Sequence, residues 1–490
     1  MRKTQPKWKV AALAVIASML LASCGTDTPA TPTAVSTATG AAATATMPAG
    51  NAMDGTPTTI TEVTGTPEAG DLTGTISFQV FGDPAELAAF QAVVEGFKEA
   101  QPGATVEVIH VPQQGDHMTK LSTSFAAGNP PDVWVLNYRR YGQFAAEGVI
   151  EPIGPLLEKS ATISEDLYYQ EALNAFRYQG TLMCLPQNVS NLVVYYNKDL
   201  FTKAGLEFPA KDWTWADFVN TAQRLTTTDT SGQKTYGVGI DPQLIRVAPF
   251  IWSNGGEIVD DPEKPTKLAI QEPAAREAIQ AFVDLQLQYK VTPNEAEAKA
   301  EDIEARFMNG RLGMILQSRA ATPTFREITG FQWDVAPLPR FKEAASILHS
   351  DAYCISAASK NKELAWAFVE YAQGTDGQRR ASELGRTVPS LKSVANSPAF
   401  LDPSKEPASN QVFLDAVPTM RLVPILSTWP KIESTVNEQI ERAFYGLVTL
   451  DEALQTAVDQ STPLFADANK ERTPRRQDAK TPRRQGPRQV

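Results

Sequence analysis

The stretch T-I-S-F-Q-V-F-G-D-P-A-E-L-A-A-F, residues 75–90, sets the fold class of the chain. Its Ile76, Phe78 and Val80 recur at every second position, which predicts a strand. Pro84 then opens a segment whose apolar residues recur every three or four positions, which predicts a helix. A strand followed at once by an amphipathic helix is the repeating unit of an α/β domain.

The same alternation continues as far as residue 136. We predict a strand at Val106–Val111, a helix at Asp116–Ala127 and a strand at Val133–Leu136. This order predicts right-handed parallel units with helices on both faces of the sheet. Ligands of such sheets bind at the loops after the carboxyl ends of the strands, which are here Gly82–Asp83, Pro112–Gly115 and Asn137–Tyr141.

A second α/β unit follows. Strands are predicted at Leu192–Tyr196 and Tyr236–Ile240, with a helix at Trp215–Leu225 between them and Thr214 as its N-cap. The 490 residues leave a folded body long enough for two domains. Further helices are predicted at 274–287, 301–308, 362–372 and 432–444, and further strands at 312–316 and 333–336.

Residues 1–23 have the features of a signal peptide. Four basic residues precede the apolar run Val10–Leu21, which is too short to span a bilayer permanently. The run ends in L-A-S-C, which resembles the lipobox of bacterial lipoproteins and predicts a lipid on Cys24. The alternative is an ordinary secretory signal with a chance cysteine. Lipidation would anchor the protein to the outer face of the cytoplasmic membrane.

The two flanks of the folded body are low in apolar content. Residues 24–74 are rich in Thr, Ala and Pro and lack aromatic residues, so we predict that they form a disordered linker behind the lipidated cysteine. Residues 470–490 are basic and contain T-P-R-R-Q twice, which predicts a disordered tail.

Composition excludes several classes of function. The net charge is −11 although both termini are basic, so the body is acidic and nucleic acid is not an expected partner. The three histidines, His110, His117 and His349, have no metal-ligand spacing, so we expect no metal and no cofactor.

With Cys24 used by lipid, Cys184 and Cys354 remain. The burial habit of free cysteine favours two unpaired thiols over a disulfide.

Seven segments in order resemble the sugar-binding solute receptors of bacterial ABC importers, the family that includes the maltose-binding proteins. The similarity extends over nearly the whole body. The segments are G-T-L-M-C-L-P (180–186), L-V-V-Y-Y-N-K-D-L-F-T-K-A-G-L (192–206), W-T-W-A-D-F (213–218), N-G-G (254–256), F-M-N-G-R-L-G-M (307–314), P-L-P (337–339) and I-S-A-A-S-K-N-K-E-L-A-W-A-F-V (355–369).

The resemblance implies an α/β fold of the periplasmic-binding-protein type II, in which two doubly wound lobes are joined by crossing hinge strands. Lobe one would comprise residues 75–185 plus 351–400, and lobe two residues 186–350 plus 401–469. The crossings would lie near 184–187 and 349–353. A monomer of this kind would hold a sugar or polyol between its lobes and present it to the permease subunits of an importer.

The family's ligand contacts, carried over position by position, predict the binding residues. A carbohydrate needs carboxylates and amides for its hydroxyl groups and aromatic rings for its C–H faces, and the predicted set contains all of these. The set comprises Asp83, Asn137, Tyr138, Arg139, Arg140, Gln187, Asn188, Ser190, Trp252, Asn254, Gln317, Ser318, Arg319, Asp351 and Trp429.

Several of these residues have a second interpretation. Asp83 precedes Pro84 and could simply cap a helix, and Trp252 follows apolar residues and could belong to the core. The family often has a tryptophan where this chain has Gln317-Ser318-Arg319. Its absence disfavours a long malto-oligosaccharide and favours smaller or more polar ligands, with Arg319 facing an anionic group.

A secreted glycoside hydrolase is the alternative from another class of function. It would also need an acidic cleft that binds sugars, with two carboxylates at a set separation. The chain contains none of the sequence motifs of serine hydrolases, phosphate-binding loops, dinucleotide-binding domains or zinc proteases.

Overall fold

The structure is a computed structural model and describes residues 72–472. The predicted signal peptide, the lipidation of Cys24, most of the linker and the tail beyond residue 472 lie outside these residues and stay predictions. The last helix of the described part ends at Arg472, so it includes the first three residues of the predicted tail. Within residues 72–472, no helix is both long and apolar enough to cross a membrane.

The strands of the described residues follow the predicted order. They are β1 (Gly74–Phe81), β2 (Ala104–Val111), β3 (Val133–Asn137), β4 (Ile150–Glu151), β5 (Arg177–Tyr178), β6 (Thr181–Leu182), β7 (Leu185–Pro186), β8 (Ser190–Asn197), β9 (Thr227–Thr228), β10 (Lys234–Gly239), β11 (Leu312–Ser318), β12 (Trp333–Ala336), β13 (Ser346–His349), β14 (Asp351–Ser356) and β15 (Met420–Arg421).

The helices lie between and after these strands. They are α1 (Pro84–Ala100), α2 (Gln114–Ala126), α3 (Tyr138–Ala146), α4 (Gly154–Leu157), α5 (Gln170–Asn174), α6 (Lys198–Lys203), α7 (Trp215–Leu225), α8 (Leu244–Ser253), α9 (Pro273–Leu287), α10 (Glu295–Ala300), α11 (Ile303–Met308), α12 (Thr322–Phe325), α13 (Lys362–Gln373), α14 (Thr375–Glu383), α15 (Lys392–Ala395), α16 (Gln411–Asp415), α17 (Trp429–Phe444) and α18 (Leu450–Arg472).

Local sequence explains where the principal helices begin. Asp83 caps α1 by accepting a hydrogen bond from the backbone N–H of Glu86 at 2.9 Å, and Pro84 occupies the first helical position. Thr214 caps α7 as predicted and forms a reciprocal pair of hydrogen bonds with Asp217. These caps fix the points at which the chain leaves a strand edge and enters a helix.

The first sheet has six strands in the order β2-β1-β3-β14-β4, with β7 paired to β14. Strand β1 is parallel to β2 and β3, as the alternation of strands and helices predicted, whereas β14 is antiparallel to β3. The inward residues Ile76, Phe78 and Val80 are completely buried. We call the part of the molecule built on this sheet lobe one.

The second sheet has seven strands in the order β15-β13-β8-β11-β10-β9, with β12 paired to β8. Strands β10 and β11 are parallel, and β8 is antiparallel to β11, β12 and β13. The part built on this sheet, including α7, α8, α9 and α17, is lobe two.

The chain crosses between the sheets at two adjacent points. It leaves the first sheet after β7 and enters the second at β8, and it returns through Ser350, which separates β13 from β14. Pro186 still pairs with Ala352 in the first sheet, one residue beyond the predicted end of lobe one. The paired crossing segments form the hinge.

A disulfide joins the two crossing segments at their lobe-one ends. Cys184 precedes β7 and Cys354 lies in β14, and the pairing of these strands brings their Cα atoms to 4.6 Å. The prediction of two unpaired thiols was therefore wrong. The bond closes a loop of 170 residues that contains the central sequence of lobe two.

Candidate functional site

The polar edges of the two sheets face each other beside the hinge. In lobe one this edge carries Asp83 after β1, Asn137 at the end of β3 and Asp351 at the start of β14. Asn137 and Asp351 are paired in register. In lobe two the edge carries Ser190 at the start of β8 and Gln317 near the end of β11, because these strands are antiparallel. The space between the edges is the candidate binding cleft.

Asn137 organises the lobe-one side of the cleft. Its amide nitrogen donates to Asp351 Oδ1 at 3.0 Å, and its Oδ1 accepts from the backbone N–H of Arg139, which caps α3. Burial raises the pKa of Asp351, while Asn137 and the nearby guanidinium groups of Arg386 and Arg139 oppose that rise. Two predicted residues thus form one hydrogen-bonded unit.

An ion pair spans the cleft. Arg139 Nη1, on α3 of lobe one, donates to Glu433 Oε1, on α17 of lobe two. Both side chains are almost buried, so the pair is shielded from solvent. Neighbouring Arg140 is half-buried, and burial lowers the pKa of its guanidinium while Glu433 opposes this effect.

A second set of charges lies at the lobe-one rim. Arg386 donates to Asp83 Oδ2 at 2.6 Å and to Glu86 Oε2 at 2.8 Å, and it also donates to the carbonyl of Ala320 in lobe two. Burial raises the pKa of Glu86 to about 7 although Arg386 opposes the change. Asp83 therefore serves both as a helix cap and as an ion-pair partner.

The lobe-two side centres on Arg246 of α8. Its Nη2 donates to Gln317 Oε1 at 2.9 Å and lies 3.8 Å from Asp241 Oδ2, while Gln317 Nε2 donates to Glu304 at 2.6 Å. Burial raises the pKa of both Asp241 and Glu304, and Arg246 opposes the rise. Gln317 therefore links the buried Arg246 guanidinium to the carboxylate of Glu304.

The N-terminal turns of α17 complete this side. Trp429 is the first residue of the helix and is completely buried, and Glu433 lies one turn further along the same face. Asn437 follows by another four residues and accepts from the backbone N–H of Leu244 at the start of α8. These contacts hold α8 and α17 together at the cleft.

Several buried polar atoms in the cleft have no hydrogen-bond partner among the described residues. The unpaired donors are Arg140 Nε, Trp429 Nε1, and Nε and Nη1 of Arg246. Glu433 Oε2 is an unpaired acceptor, and His349 Nε2 is unpaired in an imidazole whose pKa is lowered by burial. Buried polar groups are normally paired, so these unpaired atoms are candidates for contact with a ligand.

The predicted residues at the hinge are paired with one another instead. Asn188 Oδ1 accepts from the backbone N–H of Asp351 at 2.7 Å, and Asn188 Nδ2 donates to Ser190 Oγ at 3.1 Å. Ser350 Oγ donates to the Asn188 carbonyl, and the backbone of Gln187 bonds to Asp351 and Ser390. These side chains are buried, and their contacts stabilise the crossing itself.

Other predicted residues have structural contacts. Tyr138 is buried in the core of lobe one, and its hydroxyl accepts from the backbone N–H of Val423. Trp252 is buried in α8, where the Arg421 guanidinium stacks on its ring at 5.1 Å. Asn254 caps the end of α8 and donates to Ala274 and Glu277. For Trp252, the core interpretation therefore fits the structure better.

Arg319 also differs from its predicted role. Its guanidinium lies against the rings of Phe400 and Phe413, donates to the Gly385 carbonyl and bonds to Asn410. Ser318 contributes its carbonyl to the Tyr195 hydroxyl. The contacts of Arg319 therefore pack a segment of lobe one against lobe two. Because its guanidinium is occupied in this way, an anionic ligand would need another cation.

Four residues around the cleft, Arg246, Glu433, His349 and Arg386, are not among the predicted binding residues. Arg246 is the only charged residue in the apolar run L-I-R-V-A-P-F-I-W, residues 244–252, and Glu433 follows Ile432 on the buried stripe of α17. A charge at a position that helical periodicity assigns to the core is the signal that could have found both.

A cavity of about 930 Å³ lies elsewhere between the lobes. It is lined by the β5–β6 hairpin of lobe one, by residues 262–266 of lobe two and by residues 421–426. None of the predicted binding residues lines it. Its size alone is a weaker indication of a ligand site than the convergence of unpaired donors in the cleft.

The chain belongs to the bacterial extracellular solute-binding protein family, whose profile matches residues 92–408. The predicted family membership and the two-lobe type II fold are thus confirmed. As a member of this family the protein is an extracytoplasmic binding protein and not an enzyme, which excludes the glycoside hydrolase alternative.

Individual relatives are similar over most of their lengths. The galactooligosaccharide-binding protein of Bacillus subtilis is 23% identical over 78% of this chain and 88% of its own. The sn-glycerol-3-phosphate-binding periplasmic protein of Rhizobium meliloti is 23% identical over 77% of this chain and 90% of its own. A Listeria monocytogenes ABC substrate-binding protein, solved with cycloalternan, is 26% identical with a TM-score of 0.73 and covers 80% of this chain and 99% of its own.

Proposed function

We propose that the protein captures a carbohydrate or a related polyhydroxy solute in the cleft and delivers it to the permease of an ABC importer. The observation that carries this proposal is the facing pair of polar sheet edges, with unpaired buried donors between them. The relatives named for galactooligosaccharide, glycerol phosphate and cycloalternan support the same class of ligand.

The binding residues we propose are those whose side chains face the cleft. Asp83, Asn137 and Asp351 supply acceptors from lobe one, while Gln317 and Trp429 supply an amide and an indole from lobe two. A sugar hydroxyl both donates and accepts, so carboxylates, amides and guanidinium groups can each bind one. Arg139, Arg140, Arg246 and Glu433 complete the proposed set.

Capture follows from the contacts between the lobes. The Arg139–Glu433 pair and the bond from Arg386 to Ala320 form only when the lobes are together. Bending at the crossing segments would separate these partners and admit solute. A solute that satisfies the unpaired donors would then favour the form with the lobes in contact, which is the form a permease would recognise.

The proposed setting is the outer face of the cytoplasmic membrane. A lipid on Cys24 would anchor a monomer through the linker of residues 24–74, which sets its reach towards the permease. Detergent phase partition of the full-length protein checks the anchor. We expect the wild type in the detergent phase and Cys24→Ala in the aqueous phase, and equal partition of the two would contradict the proposal.

The ligand class is tested by native mass spectrometry of freshly purified protein and a thermal-shift screen of mono- and oligosaccharides, polyols, and their acids and phosphates. A ligand at a hundredfold excess over its Kd should stabilise the protein by about 2.7 kcal/mol. The effect should weaken in Glu433→Ala and persist in the surface control Glu95→Ala. If no member of the screen, neutral or anionic, shifts the melting temperature, the proposed ligand class is wrong.

A further inference from the structure

Among the unpaired polar atoms of the cleft, hydrogen-bond donors outnumber acceptors. Four are nitrogen donors, from Arg246, Arg140 and Trp429, whereas Glu433 Oε2 and Asn191 Oδ1, the latter on β8 beside Ser190, can solely accept. His349 Nε2 and the Tyr141 hydroxyl, which are also unpaired, can act either way. Each hydroxyl of a neutral sugar also brings a proton that needs an acceptor, and this set offers few acceptors for such protons.

Arg246 is the strongest element of the set. Its side chain is 9% exposed, and two of its three nitrogens have no acceptor within the described part of the chain. The third nitrogen donates to Gln317, a neutral amide, and the nearest carboxylate is Asp241 at 3.8 Å. Because Asp241 lies beyond hydrogen-bond distance, part of the desolvation cost of this buried guanidinium is left for an anion to offset.

The acids around the cleft already accept hydrogen bonds, although Asp351 and Glu304 accept them from neutral amides, which do not cancel a carboxylate charge. Glu433 binds Arg139, Asp351 accepts from Asn137, and Glu304 accepts from Gln317. Arg139 lies close enough to interact electrostatically with both Arg246 and His349, and Arg140 lies close enough to interact with Glu433. The cations of α3 and α8 are therefore near one another.

We infer that the solute carries an anionic group, a carboxylate or a phosphate, and that Arg246 and Arg140 bind this group while Trp429 and Glu433 bind the hydroxyl-bearing part. This inference rests on the proposed function and narrows its ligand class to sugar acids and to sugar or polyol phosphates. An anionic oxygen accepts several hydrogen bonds and donates none, so it matches a site rich in unpaired N–H groups.

Matched ligand pairs test the inference by titration calorimetry. The pairs are glucose with glucuronate, galactose with galacturonate, glucose with glucose 6-phosphate, and glycerol with sn-glycerol 3-phosphate. We expect the anionic member of at least one pair to bind about tenfold or more tightly than its neutral partner. The carboxylate and phosphate pairs distinguish the two anionic groups. Salt should weaken the anionic member selectively.

Arg246→Gln should lower affinity for the anionic member about tenfold or more and change that for a neutral sugar less than about threefold. Arg276→Gln is the matched control, because Arg276 lies on the surface in a pair with Asp451. If Arg246→Gln does not fold, Arg140→Gln serves, since that side chain is only half-buried and should reduce the same preference.

The outcomes separate the inference from the proposed function. Neutral carbohydrates that bind as tightly as their anionic partners, or more tightly, overturn the inference and leave the proposed function standing. If anionic ligands bind but Arg246→Gln and Arg140→Gln both retain the preference, the assignment to these arginines is wrong. If neither neutral nor anionic carbohydrates and polyols bind, the proposed function fails and the inference fails with it.

Discussion

The hinge and the cleft are adjacent, yet the side chains of Asn188, Ser190 and Ser350 are paired very differently from those of Arg246 and Trp429, although Asn191 Oδ1 on β8 is also unpaired. At the hinge, Asn188, Ser190 and Ser350 bond to one another or to nearby backbone, and a disulfide fastens the two crossing segments. In the cleft, Arg246 and Trp429 are equally buried but keep unpaired donors. Burial of a polar residue therefore does not identify its role, whereas the state of its hydrogen bonds does.

This difference separates residues that sequence similarity groups together. Asn188 and Gln317 were both predicted to bind ligand. Asn188 instead forms hydrogen bonds within the crossing segments, whereas Gln317 accepts a hydrogen bond from Arg246, whose other nitrogens are unpaired. The comparison predicts that hinge substitutions reduce stability and that cleft substitutions reduce ligand affinity.

The largest expected effect comes from the disulfide. Removing it in Cys184→Ala/Cys354→Ala frees a 170-residue loop in the unfolded chain, which should lower the free energy of unfolding by up to about 5 kcal/mol. Urea denaturation of the variant and of wild type, each with and without reductant, measures the loss. A loss below about 1 kcal/mol would show that the bond contributes little to the hinge.

A smaller effect is expected from Glu86 at the lobe-one rim. Its pKa is raised from 4.5 to about 7, chiefly by burial, with Asp351 and Asp83 adding to the rise and Arg386 opposing it. The native state then holds a proton that the unfolded chain has lost. The contribution of Glu86 is therefore complete below pH 4.5 and is lost as the pH rises to about 7, at a cost of up to about 3 kcal/mol.

Urea denaturation of wild type and Glu86→Gln between these pH values checks this sign. We expect the stability of the variant relative to wild type to increase with pH and to level off above pH 7. A relative stability that stayed constant, or that decreased with rising pH, would show that Arg386 keeps Glu86 charged throughout.

Asn188→Ala should cost about 2 kcal/mol, because it leaves the buried N–H of Asp351 without an acceptor. Chemical denaturation measures the loss, and Asn396→Ala on the surface is the matched control. Ligand affinity should change less than about threefold. A normal stability with a large loss of affinity would move Asn188 from the hinge group to the cleft group.

The smallest effect on stability is expected at the cross-lobe ion pair. A double-mutant cycle of Arg139→Gln and Glu433→Gln should give a coupling of about 1 kcal/mol in the free energy of unfolding, because desolvation of two charges offsets much of their attraction. Ligand affinity should decrease by about fivefold, since the pair forms only with the lobes together. Coupling above about 3 kcal/mol would make the pair a structural contact like those of the hinge.

Much of the fold could be predicted because local patterns determine it. The alternation in β1, the apolar spacing of α1 and the Thr214 cap of α7 are all readable within a few residues. The disulfide could not be predicted in this way, since it depends on the register of β7 with β14, whose cysteines are 170 residues apart.

The proposed site is harder to predict from sequence, because several of the residues we propose for it lie on helices. Asp83 and Asn137 lie at or just after the ends of strands, so the predicted strand ends are enough to place them at the edge of the sheet. Arg246 and Glu433 sit within buried helical faces, where periodicity alone assigns them to the core. Arg319 follows Gln317 by two residues, but the chain turns into a short helix at Arg319 and packs its side chain between two phenyl rings.

Hydrogen–deuterium exchange with and without a ligand found in the screen tests the central claim, that solute binds to the cleft residues and not to the hinge residues. Ligand should increase protection in peptides that cover residues 137–141, 244–247 and 429–433, while residues 184–191 stay unchanged. Protection confined to residues 262–266 and 421–426, which line the separate cavity, would contradict the account.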